Sequence, residues 1–106
     1  MGEMNDSPET VPGSAPSAEV RRVVVANQLG LHARPAGKLA QAAQNFKASI
    51  SIVCEEQEVD AKSILDILTL AAAQGSALDL KASGEDARMA LDSLEALFRA
   101  KFGEER

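Results

Sequence analysis

The stretch Ala48-Ser49-Ile50-Ser51-Ile52-Val53-Cys54 decides the fold class. Along an extended chain, successive side chains leave opposite faces. Ile50, Ile52 and Cys54 therefore share one face, and Ser49 and Ser51 the other. Such a strand has one dry side and one wet side. That pattern belongs to antiparallel sheets covered on a single face, since parallel sheets are buried on both. Ala77 to Ala82 repeats it, with Leu78 and Leu80 inward and Asp79 and Lys81 outward.

Working outward, Glu55-Glu56 reads as a hairpin connection and Gln57 to Ala61 as a short polar partner strand. Val20 to Ala26 (VRRVVVA) is short and rich in β-branched residues, which favours a first strand. Asn27 to Gly30 then supplies turn chemistry. Three helices separate or follow these strands. Ala36, Leu39, Ala40, Ala43 and Phe46 recur at helical spacing over Ala33 to Asn45. Pro35 falls in that helix's first turn, where a missing N–H costs nothing. Ser63 to Ala73 reads as a second helix, with Ser63 and Asp66 in capping-box spacing. Gln74-Gly75-Ser76 should stop it, with Gly75 as a left-handed cap. Ser83 and Asp86 repeat the capping spacing before a long third helix. Ala87, Ala90, Leu91, Leu94, Leu97 and Phe98 form its apolar face. The order β-α-β-β-α-β-α predicts an α+β, open-faced two-layer β-sandwich. In it a four-stranded antiparallel sheet is covered on one face by three helices.

The remaining segment, residues 1–18, carries three of the four prolines together with Gly and Ser and has no sustained periodicity. It reads as a disordered extension, leaving one domain over 19–106. A chain of 106 residues with 45% apolar content supports one core and no more. Eleven basic against sixteen acidic residues give a net charge of −5, which argues against a nucleic-acid partner. Phe46, Phe98 and Phe102 are the whole aromatic content, and none sits where a strand would offer a stacking platform. The single Cys54 allows no internal disulfide and reads as a small core residue. No apolar run reaches membrane-spanning length and no signal peptide is evident, so no membrane insertion and a cytoplasmic location are expected. One His and one Cys cannot close a metal site, and no nucleotide fingerprint is present, so no metal and no cofactor are expected.

Chemistry concentrates in Asn27-Gln28-Leu29-Gly30-Leu31-His32-Ala33-Arg34-Pro35-Ala36. The run ends a strand, turns at a glycine and opens a helix, which places the chain's one histidine, His32, at a helix N-terminus. Unpaired N–H groups and about half a positive charge gather there. Such an end suits a bound phosphate and favours a neutral ring with one nitrogen free as nucleophile. Arg34 adds a fork of donors for phosphate oxygens. The acidic Glu55-Glu56 and Gly103 to Arg106 read as solvated ends.

Leu31-His32-Ala33-Arg34-Pro35-Ala36 closely resembles the active-site signature of the histidine-containing phosphocarrier protein (HPr) family of bacterial sugar phosphotransferase systems. Lys62-Ser63-Ile64-Leu65 resembles the family's regulatory-serine segment, at the family's separation from the histidine. The resemblance spans roughly Val20 to Phe102. It implies a phosphoryl carrier rather than a stand-alone enzyme. His32 would accept phosphate on Nδ1 from enzyme I, which draws it from phosphoenolpyruvate, and pass it to EIIA-type domains for sugar uptake. Arg34 would stabilise the transferring group. A monomer is expected.

In the family's regulated members the serine matching Ser63 is phosphorylated by an HPr kinase/phosphorylase. A phosphate there would add about two negative charges to the docking face. Asp66 departs from the neutral residue many members carry. The second helix is apolar on two stripes. Ile67, Leu70 and Ala71 suit the core, while Ile64, Leu65 and Leu68 form a second stripe that suits either a wide core contact or an exposed docking patch beside His32. The family match assigns partner docking to Ile64, Leu65 and Leu68, with Thr69 nearby. Gln41 and Gln44 stand where some relatives offer basic docking contacts. Two alternatives stay open: a nitrogen-type or purely regulatory paralogue of the same family, and an ACT-like small-molecule-binding module of related element order.

Overall fold

Among the described residues four strands and three α-helices follow in chain order, β1 (Glu19–Val24), α1 (Ala33–Gln44), β2 (Ser49–Cys54), β3 (Gln57–Asp60), α2 (Ile64–Thr69), β4 (Ala77–Ser83) and α3 (Ala87–Arg99), with a short 3-10 turn at Lys101–Gly103 after them. The computed structural model describes residues 18–105. Apart from Ala18, the extension expected over residues 1–18 lies outside them. The strands form one sheet in the order β1-β4-β2-β3, with every neighbouring pair antiparallel.

Register explains the alternation. Val23 faces Leu78, Leu80 faces Ile52, and Ala82 faces Ile50, so one surface of the sheet is continuously apolar and buried. The other surface is polar. There Arg22 faces Asp79 and binds it through two hydrogen bonds of 2.9 and 3.2 Å, an opposite-charge cross-strand pair. All three helices lie on the apolar side. α3 covers β1 and β4, α2 sits beside β3, and α1 packs on both α2 and α3. α1 buries Pro35, Ala36, Leu39, Ala40 and Ala43, and α3 buries Ala87, Ala90, Leu91, Leu94 and Phe98. Arg21 ties β1 to α3 through Asp92 at 3.0 Å and Glu95 at 2.6 Å. The expected open-faced α+β sandwich is the observed architecture.

Four local expectations are corrected. The second helix ends at Thr69 rather than Ala73, and Ala71 turns left-handed (φ 49°). The backbone beyond it is taken up by the loop that carries His32. Ala72 O accepts from Leu31 N at 2.9 Å, Ser76 O from Val25 N at 2.9 Å, and Gly75 N donates to Val25 O at 2.7 Å. Ala71 is therefore exposed instead of lining the core, and Gly75 (φ 92°) shapes the turn into β4 instead of capping a helix. Finally, Asp86, not Ser83, is the N-cap of α3. Its carboxylate reaches across to the start of β2, accepting from Lys47 N at 2.9 Å and Ala48 N at 2.8 Å. These bonds, with the neighbouring Lys62 charge, outweigh desolvation and hold Asp86 below the ordinary aspartate range.

Candidate functional site

Between β1 and α1 the chain must reverse tightly while staying bonded to the segment after α2. Gly30 makes this possible. Its φ is +73°, and a Cβ there would stand 2.5 Å from Ala72 O. Leu31 is then buried, and His32 becomes the N-cap of α1. The His32 carbonyl accepts from Ala36 N at 3.0 Å, but its ring makes no capping bond to the helix. Pro35 has no N–H, so the first turn offers the Ala33 and Arg34 amides to an incoming anion.

The ring is 36% exposed and opens onto a shallow groove bordered by Gln28, Leu29, Arg34, Lys38 and Glu104. Its Nε2 lies 2.8 Å from Glu104 Oε2. Among the described residues no protein group bonds Nδ1. The other carboxylate oxygen of Glu104 accepts from the side-chain amide of the buried Asn27 at 3.0 Å, and the same amide donates to Gly30 O at 2.7 Å. Asn27 thereby links the glycine turn to the acid that faces the histidine. Desolvation pushes the Glu104 carboxyl upward. The bonds from Asn27 and His32, with the charges of His32 and Arg34, more than reverse this and place it below the ordinary glutamate range.

The structure corrects the expectation that Glu104 belongs to a solvated end: its side chain is only 16% exposed. After α3, three successive residues adopt left-handed φ: Lys101 (54°), Phe102 (56°) and Gly103 (80°). This turn folds the chain back. Phe102 is buried with its ring edge-on to Phe98, centroids 4.9 Å apart. Lys38 Nζ donates to Phe102 O at 2.6 Å. The one available signal in the sequence is Phe102 itself, a large apolar side chain beyond the last helical turn. A chain end is ordered only where something ties it down.

Arg34 is exposed at the groove, two residues from His32. Ser63 lies elsewhere, at the start of α2, where its Oγ accepts from Asp66 N at 3.2 Å as the capping spacing predicts. Leu65 is 75% exposed and Ile64 also stands out of the surface, whereas Leu68 is half-buried against the core. Thr69 is exposed, donating to Asp66 O at 2.6 Å and accepting from Gln57 at 3.0 Å. Leu29, which no periodicity singles out, is 73% exposed beside His32. Among the described residues no cluster of potential metal ligands occurs and no helix is long and apolar enough to cross a membrane.

Residues 20–100 match the family described as PTS HPr component phosphorylation site. The chain is 44% identical over 86 residues to the phosphocarrier protein HPr of Treponema pallidum, covering 81% of this chain and 98% of that protein. It is 46% identical over 84 residues to the phosphocarrier protein NPr of Shewanella violacea, covering 79% and 92%. The crystal structure of HPr-C-His from Thermoanaerobacter tengcongensis superposes with a TM-score of 0.80 at 38% identity, covering 83% of this chain and 99% of that one. Family membership sets the ACT-like alternative aside and makes the chain a phosphotransferase-system phosphocarrier. With its open-faced sandwich and the Leu31 to Ala36 signature at a helix mouth, the chain belongs to the HPr family.

Proposed function

We propose that His32 is the residue that carries the phosphoryl group, on Nδ1, receiving it from enzyme I and delivering it to EIIA-type domains for sugar uptake. One observation carries this reading. The ring sits at the N-terminus of α1 with Nε2 engaged by Glu104, which leaves the Nδ1 lone pair as the available nucleophile. A bond from phosphorus to an imidazole nitrogen keeps high transfer potential, because the protonated ring is a good leaving group. Arg34 and the free amides of the first turn counter the charge of the transferring group. Leu29, Ile64 and Leu65 supply exposed apolar surface for transient partners, with Leu68 and Thr69 at its margin. Ser63 is a regulatory phosphorylation site where the organism has an HPr kinase/phosphorylase. The protein acts as a cytoplasmic monomer.

The test is direct. With phosphoenolpyruvate and enzyme I, the wild-type protein gains an acid-labile, base-stable phosphate and His32→Ala gains none; equal labelling of the two ends the assignment. The likeness to an NPr supports a second reading, service in a nitrogen-type branch. Faster labelling by an enzyme I of that branch than by a sugar-type one would select it.

A further inference from the structure

Resting on the phosphocarrier reading of His32, we infer that Glu104 is a positioning residue for phosphoryl transfer. Clamped by Asn27 and delivered by the Phe102 turn, it holds the Nε2–H of His32, so that Nδ1 faces the donor and the protonated ring of the phosphorylated form is stabilised.

Three features carry this. The first is the directed contact, 2.8 Å from carboxylate to Nε2. A carboxylate can only accept, so the ring proton belongs on Nε2 and the lone pair on Nδ1. The second is that the carboxylate is itself held, by the buried Asn27, which also fixes the turn leading into His32. The third is the backbone that brings it there. Lys101 and Phe102 are both left-handed without being glycine, a conformation that persists only where its surroundings impose it. Here they do: Phe102 is buried against Phe98, and its carbonyl is bonded by Lys38. An end free in solvent would need none of this.

In the forward step the Nδ1 lone pair forms the P–N bond as the bond from phosphorus to the donor's leaving atom breaks. The donor's atom keeps that electron pair, and the proton on Nε2 stays where Glu104 holds it. The ring then carries a positive charge facing the carboxylate. On delivery the P–N bond breaks and its electron pair returns to Nδ1, a departure that the protonated ring favours. Among the described residues, the charged groups around the ring are Arg34 and Lys38 from α1 and Glu104 and Glu105 from the segment after α3. Of the two acids, Glu104 is the one bonded to the ring.

Two variants separate acceptor from charge. Glu104→Gln keeps an oxygen that can accept from Nε2–H but loses the charge, and Glu104→Ala loses both. Nitrogen-15 spectra of the unphosphorylated imidazole should show the Nε2–H tautomer in wild type and Glu104→Gln and a mixture in Glu104→Ala. The pH profile of phosphohistidine hydrolysis should move to lower pH in both variants and return with Glu104→Asp. The transfer rate of Glu104→Ala should fall by up to roughly a hundredfold, as misplacing a reacting group does. Identical tautomer populations in wild type and Glu104→Ala, or superimposable hydrolysis profiles, would overturn the proposal. The tautomer is read without any phosphoryl donor, so failure of the wild type to take phosphate counts against the carrier reading and not against this one.

Discussion

Glu104 and His32 lie 72 positions apart in the chain, yet a carboxylate oxygen of one stands 2.8 Å from a ring nitrogen of the other. The contact depends on Phe102, because among the described residues after α3 no other is buried deeply enough to anchor the return of the chain. Truncating a buried phenylalanine costs about 3–5 kcal/mol. Phe102→Ala should therefore lower the unfolding free energy from chemical denaturation by that order and free the C-terminal segment. Phe102→Leu keeps most of the volume and should cost less. Hydrogen exchange at the amides of residues 103–105 reads the release. Protection equal to wild type in Phe102→Ala would show that the turn holds without its anchor.

Gly30 allows a second prediction. Its φ of +73° costs an ordinary residue about 1–2 kcal/mol, and a methyl group would overlap Ala72 O at 2.5 Å. Gly30→Ala should lose more than the conformational term alone. It should also slow phosphorylation of His32, since the Asn27–Gly30 bond and the Leu31–Ala72 bond both register on that turn. Chemical denaturation and an initial-rate labelling assay measure the two losses. Gly75 is the control. It is also at positive φ, but a Cβ there would meet nothing within 4 Å, so Gly75→Ala carries the conformational strain without the overlap.

Legibility from sequence followed the range of the interactions. Periodicity gave the sheet's faces and the helix stripes, because both report on each element's own buried side. The mouth of α1 was legible too, since a glycine turn, His32, Arg34 and Pro35 lie within six residues. What escaped depends on remote partners. Leu65, Leu68 and Leu70 to Gln74 are good helix formers, so nothing local says that Ala72 and Gly75 are claimed by residues 25–31. Asp86 sits at capping distance from Ser83, yet its carboxylate serves Lys47 and Ala48. Glu104 has the surroundings of a solvated tail, and only the buried Phe102 two residues earlier hints otherwise.

Asp86 makes the pH dependence explicit. Its two backbone bonds favour the ionised form, so its value in the folded protein lies below that in the unfolded chain. A carboxyl shifted downward contributes stability above its unfolded value and loses it as pH falls through the folded one. Asp86→Asn and Asp86→Ala should thus melt below wild type by several degrees at neutral pH. The gap should narrow as the pH is lowered past the ordinary aspartate range. A gap of constant size down to strongly acid pH would show that the carboxylate's charge is not what links α3 to β2.

Ser63 separates a structural from a regulatory role by the choice of replacement. As the N-cap of α2 its hydroxyl accepts from Asp66 N at 3.2 Å, and removing such a cap costs about 0.5–2 kcal/mol. Ser63→Ala should therefore be less stable but still accept phosphate on His32. Aspartate caps as well as serine does, so Ser63→Asp should stay within about 0.5 kcal/mol of wild type. It also places a negative charge at the start of α2, next to the exposed Ile64 and Leu65. If that surface receives the phosphoryl donor, Ser63→Asp should be labelled more slowly than Ser63→Ala despite being the more stable protein. That inversion of stability and rate is the outcome to measure, by thermal melting and labelling on the same preparations. Equal labelling rates for the two variants would remove α2 from the docking surface and leave Ser63 as a helix cap alone.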